Sequence, residues 1–222
     1  EAVCRLGIVY FTLALDAQKS LPFYQKAIEY FNIIVEKKED PLYNFALFQR
    51  GWTRFVSGEF ESTIEDFSKI LKILNYDDSQ KDFFLEDAIE NLAFSLIEYD
   101  KDFDLVSLAA KKAKYLFTHI LSQKYSKPIF ENAIKLKLKY SAPMQAIDLY
   151  NTFIELYPTD IDCPVFVDSI ISIYQKSPSR IRENKQPEEI IIQQIERIVK
   201  DYCSDSKWYL TNQNKEISQQ LK

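Results

Sequence analysis

His119 is the only histidine in the 222 residues, so acid–base or metal chemistry built on imidazole has a single group to work with. It falls between Phe117 and Ile120 in a helical pattern, and no neighbour in sequence is placed to orient it, so it reads as a packed or partly exposed ring. The three cysteines, Cys4, Cys163 and Cys203, are far apart and odd in number. That spacing makes neither a disulfide framework nor a zinc pattern, and the expectation is three buried or half-buried thiols. No serine or cysteine stands with the second and third partners that activate a nucleophile. Acidic pairs recur at Glu65-Asp66, Asp77-Asp78 and Glu86-Asp87, but carboxylates at this density are what the solvated face of a helix carries. With 3 glycines in the whole chain there is no phosphate-cradling loop. The expectation is a non-enzymatic protein with no catalytic residue, no metal and no cofactor.

Recognition remains, and recognition needs elements that hold side chains in rows. The chain is 46% hydrophobic and 27% charged, enough for a packed core. Few glycines and no sustained strand-like alternation point to an all-α chain. The 16 Phe and 14 Tyr suit helix pairs that interlock through rings. No apolar run is long enough to span a bilayer, so direct membrane insertion is not expected. The net charge of −5 argues against nucleic acid and against an anionic membrane surface. It is unevenly spread: residues 1–103 carry 11 Lys+Arg against 19 Asp+Glu, and residues 104–222 carry 17 against 14.

The segment from Asn44 to Asp77 carries the clearest pattern. Phe45, Phe48, Trp52 and Phe55 recur at helical spacing, as do Ile64, Phe67, Ile70, Leu71 and Leu74. Gly58 lies between the two stripes, where a left-handed residue ends the first helix. The result is an antiparallel helical hairpin of 34 residues. Gly51 in the first helix, Gly58 at the turn, Phe60 after it and Phe67 in the second helix make this hairpin resemble a tetratricopeptide unit. Thr63 replaces the family's usual alanine, and Asn75 stands where a proline often closes the unit.

The same signature, varied, runs along the chain. Residues 1–38 carry Leu6, Gly7 and Tyr10, then Ala27, Phe31 and Ile34, with Ser20-Leu21-Pro22 as a cap and proline at the start of the second helix. Residues 84–124 carry Leu92-Ala93, Ala113 and Phe117. Gly7, Ala27, Phe31 and Ile34 reappear 86 positions later as Ala93, Ala113, Phe117 and Ile120, and Pro41 recurs as Pro128. Such self-similarity favours a stacked array. A fourth unit at about 127–160 holds Ala146, Tyr150, Phe153 and Pro158; its first helix alternates Lys135, Lys137 and Lys139 with apolar residues, and the repeat register predicts helix there rather than strand. A fifth pair at 163–203 opens with Asp162-Cys163-Pro164, crosses a polar loop at 177–187, and predicts a buried stripe of Ile191, Ile195, Ile198, Val199 and Tyr202. Residues 204–222 read as a capping segment or a short last helix with a frayed end. The expected fold is a right-handed α-solenoid of about five antiparallel hairpins. Because the chain opens on Glu1 inside a helical pattern, it reads as a piece of a longer protein.

In the tetratricopeptide family the first helices line a concave face, and the resemblance implies which residues face inward. Two before the small position come Arg5, Gln49, Asn91 and Asn132; one after it come Ile8, Trp52, Phe94 and Lys135. The implied binding residues are Arg5, Gln49, Trp52, Asn91, Phe94, Asn132 and Lys135, and the implied partner is a peptide or protein in the groove. Asn91 and Asn132 match asparagines of the family's co-chaperone carboxylate grip, but the accompanying lysines and arginine are missing, which counts against a chaperone tail as the ligand. The other readings are a nucleic-acid-binding helical repeat and a regulatory or substrate-presenting part of a larger enzyme. The phrasing ALFQRGW, SGEF and TIEDFSKIL is similar to bacterial repeat proteins that organise cell-envelope assemblies, on the periplasmic side.

Overall fold

The computed structural model describes residues 1–17, 20–76, 81–99, 107–176 and 187–213. Among these, every regular element is a helix and no strand occurs. Asp77-Asp78, residues 177–186 of the expected polar loop, and residues 214–222 lie outside the described residues. The helices are α1 (Ala2–Asp16), α2 (Leu21–Val35), α3 (Tyr43–Ser57), α4 (Phe60–Tyr76), α5 (Lys81–Tyr99), α6 (Leu108–His119), α7 (Gln123–Lys139), α8 (Pro143–Leu156), α9 (Cys163–Lys176), α10 (Pro187–Tyr202) and α11 (Lys207–Asn212). The chain divides into two compact units, residues 1–101 with 115–132 and residues 102–114 with 133–222.

In the first unit each helix packs on the next from α1 to α5, and α3 also touches α1 and α5. The small residues of the repeat pattern sit at the contacts. A Cβ on Gly7 of α1 would lie 2.6 Å from Cε1 of Phe31 on α2, so only a bare backbone admits that ring. On α3, Gly51 meets α4 in the same way, with the Asp66 and Phe67 side chains 3.3 Å from a notional Cβ. Of the positions related by the 86-residue period, Ala27, Phe31, Ala93, Ala113 and Phe117 are buried, whereas Ile34 is buried and its counterpart Ile120 only half-buried. Thr63, where alanine is usual, is buried too, and its hydroxyl is satisfied by the Glu59 carbonyl at 2.9 Å. Fully buried Phe31 and Phe67 each stabilise the unit by roughly 1.5–3 kcal/mol through apolar area removed from water.

Helix ends follow local chemistry. Gly58 caps α3 at φ +84°; its N–H donates to the Phe55 carbonyl at 3.1 Å, and the Glu59 N–H donates to the Arg54 carbonyl at 2.8 Å. Asp40 turns the chain into α3 by accepting the Leu42 N–H at 2.8 Å, and Asp160 repeats the device before α9 with Asp162 at 3.0 Å. Ser20 does occupy the N-cap of α2, but its side chain makes no capping bond; the backbone is already helical there, at φ −73° and ψ −26°. Pro128 does not open a helix as Pro41 precedes one. It lies inside α7, which begins at Gln123 rather than near 127, and α7 forgoes one backbone bond there.

In the second unit α8 packs on α9, α9 on α10 and α10 on α11. Phe153 is its largest fully buried side chain, edge-on to Phe166 at 5.0 Å. The buried stripe expected on α10 is rotated. Ile190 is buried, Ile191, Ile198 and Tyr202 are half-buried, and Ile195 and Val199 are 49% and 65% exposed. The inward row includes Arg197, whose Nη1 donates to Oδ1 of Asn151 on α8 at 3.1 Å. On the opposite face Ile192, Ile195 and Val199 go to solvent. The capping segment is held by Trp208, whose Nε1 donates to the Asp160 carbonyl at 2.7 Å, and by Asn212 Nδ2 to Thr159 O at 2.8 Å.

Candidate aromatic groove in the first unit

Three alternate helices, α1, α3 and α5, bound a cavity of about 600 Å³. Helix α3 contributes Phe48, Gln49, Trp52 and Phe55, α5 contributes Asp87, Glu90, Asn91 and Phe94, and α1 contributes Phe11. The spacings on α3 and α5 are those of one helix face, so each helix presents a continuous row to the same space.

The wall is an aromatic cluster. Trp52 stacks on Phe55 with centroids 5.5 Å apart, and Phe55 meets Phe94 edge-on at 6.1 Å, which joins α3 to α5 across the floor. Trp52 and Phe94 therefore pack between helices and line the cavity at once. Both stay half-buried, which leaves ring area for a ligand. The Asn91 side chain is buried and donates from Nδ2 to the Asp87 carbonyl at 2.7 Å, one turn back on α5. Gln49 is half-buried, and its side-chain amide makes no hydrogen bond among the described residues.

Behind the cavity, α3 is locked to α4 and α2 by a buried ion network. Arg50 donates from Nη2 and Nε to the two oxygens of Asp66 at 2.6 and 2.9 Å, Arg54 adds Nη1 at 2.7 Å, and Arg50 Nη1 reaches Asn32 Oδ1 at 2.7 Å. Asp66 is fully buried, so the Glu65-Asp66 pair is not simply a solvated face as its sequence suggests. Two guanidiniums satisfy both carboxylate oxygens, and that geometry makes the burial tolerable.

Of the residues expected to bind, Gln49, Trp52, Asn91 and Phe94 come together in this cavity. Arg5 does not join them; it is exposed on α1 and paired with Glu1. Asn132 is half-buried in the first unit and does not line the cavity, and Lys135 is exposed and belongs to the second unit. Phe11, Phe48, Phe55, Asp87 and Glu90 are lining residues that the two-position rule left out. The signal for them was present, because each helical row continues by a turn beyond the positions counted: Phe11 and Phe55 both stand four residues after their glycine.

Other chemistry stays dispersed. Cys4 and Cys163 are buried and Cys203 is exposed, contrary to three shielded thiols. Burial pushes the Cys163 thiol up to about 12, reinforced by the Asp160 carboxylate, and its Sγ lies 3.2 Å from the Tyr157 carbonyl. Burial likewise raises Cys4 and Tyr202 above their ordinary values. His119 is exposed and stacks on Tyr115 at 4.9 Å. Among the described residues no group of three or more His, Cys, Asp or Glu is placed to hold a metal ion, and no helix is long and apolar enough to cross a membrane. No protein-family model, curated protein or solved structure matches the chain.

Proposed function

We propose that the chain is a protein-interaction scaffold of the tetratricopeptide type, its hairpins belonging to a right-handed repeat, and that it holds a peptide or protein segment in the α1–α3–α5 cavity without transforming it. The observation that carries this reading is the cavity itself: about 600 Å³ between alternate helices, with five aromatic side chains on its wall and two amides beside them. Half-buried rings supply affinity at low entropic cost, and a free amide such as that of Gln49 matches the backbone of an extended ligand. The carboxylates of Asp87 and Glu90 repel phosphate, so the lining favours a peptide over nucleic acid.

The test begins with short peptides selected from a random displayed library against the full chain. Trp52→Ala is expected to weaken the selected peptides by about tenfold or more, as for a central aromatic anchor. Gln49→Ala with Asn91→Ala is expected to weaken them further. Peptides that bind both variants as they bind the native chain sit elsewhere, and the groove reading then fails.

A further inference from the structure

The rim of the same cavity has a chemical sign. Asp87, Glu90, Asn91 and Phe94 form one face of α5, so both carboxylates border the space walled by Trp52, Phe55 and Phe94. Asp87 and Glu90 are exposed, and neither makes an ion pair among the described residues. The cations of α1 and α3 are already committed. Arg50 and Arg54 on α3 are turned to the buried Asp66, and Arg5 on α1 is paired with Glu1. The cavity thus combines electron-rich ring faces with two carboxylates that no described cation pairs, inside a stretch where residues 1–103 carry 11 basic against 19 acidic side chains.

We infer that the occupant is a peptide segment bearing an arginine or lysine next to an apolar side chain. The cation lies over the exposed ring area of Trp52 and Phe94, with its charge toward Asp87 and Glu90, and the apolar neighbour fills the remaining aromatic wall. The attraction to a ring face and to a carboxylate reinforce one another where water is partly excluded. The wider acidic surplus draws basic segments toward this unit and repels acidic ones, which sets the partner class more than it sets the affinity. This inference rests on the groove being the binding site.

The experiment uses the full chain and the displayed library, with selected sequences scored for charge. Enrichment of Arg or Lys beside an aromatic or aliphatic residue is expected. Asp87→Asn combined with Glu90→Gln is expected to weaken these peptides roughly fivefold at low salt, and less at physiological salt. Replacing the peptide's cation by glutamine should cost a similar factor on the native chain and almost nothing on the double variant. Neutral or acidic peptides that lose binding to Trp52→Ala overturn the cationic occupant and leave the groove standing. A library yielding no peptide sensitive to Trp52→Ala overturns the groove reading and this inference with it. Unchanged circular dichroism and thermal unfolding of each variant separates lost binding from lost folding.

Discussion

Arg50 and Asp66 stand 16 residues apart on consecutive helices and meet through two hydrogen bonds of 2.6 and 2.9 Å in a fully buried position for the carboxylate. Removing one member leaves the other's charge stranded. Asp66→Ala is expected to cost about 3–5 kcal/mol, measured by urea unfolding. Arg50→Ala leaves Arg54 still bonded to Asp66 and should cost less. Equal stability of Asp66→Ala and the native chain would refute the lock between α3 and α4.

Gly7 and Phe31 make the tightest of the small-residue contacts. In Gly7→Ala the new methyl has to displace the ring from a site it fills completely, and the expected loss is about 1–3 kcal/mol. Phe31→Leu in the same chain should recover part of it, because the smaller side chain vacates the space the methyl needs. A Gly7→Ala chain that melts with the native one would mean that α1 sits farther from α2 than the structure places it.

Cys203 is the exposed thiol, whereas Cys4 and Cys163 are buried. A colourless disulfide reagent added to the native chain should modify Cys203 first, and Cys203→Ser should remove the fast phase. The two buried thiols are expected to react only as the fold opens. Fast modification persisting in Cys203→Ser would contradict their burial.

Cys163 also sets an alkaline limit. Its folded pKa is raised from an ordinary 9.0 to about 12, so the folded chain holds the proton that the unfolded chain releases. Its contribution to stability is complete below pH 9.0 and declines as pH rises through about 12, and the raised Tyr202 acts in the same sense. Urea midpoints should therefore fall over that window, and Cys163→Ala should flatten the decline. An identical slope in that variant would assign the alkaline loss to other groups.

Trp208 ties α11 to the turn before α9 through its bond to the Asp160 carbonyl. Trp208→Phe keeps most of the apolar contact with Tyr202 and loses the donor, at an expected cost of about 0.5–1.5 kcal/mol. The same variant leaves Trp52 as the chain's one indole, so its fluorescence then reports the groove alone.

Much of this architecture was legible in residue order. Periodicity marked α3 and α4, Gly58 marked the turn between them, and Gly7 and Gly51 marked where α1 approaches α2 and α3 approaches α4. The rotation of α10 was not legible. Ile191, Ile195 and Val199 repeat as a buried stripe should, yet Ile195 and Val199 face solvent while Arg197 takes an inward place and bonds Asn151. Asp66 shows the same gap: beside Glu65 it reads as a surface acid, and only the two arginines of α3 make its burial stable.

Helical periodicity is a local property, decided by steric and hydrogen-bonding rules within a few turns, so the chain's order alone establishes that these segments are helices and which residues share a face. Which face meets which neighbour depends on pairs distant in sequence. Gln49, Trp52, Asn91 and Phe94 become one cavity wall, while Arg5, Asn132 and Lys135 stay outside it, because packing places α3 against both α1 and α5. That choice balances ring contacts, buried charges and close backbone approach all at once, and it exists only in the folded molecule.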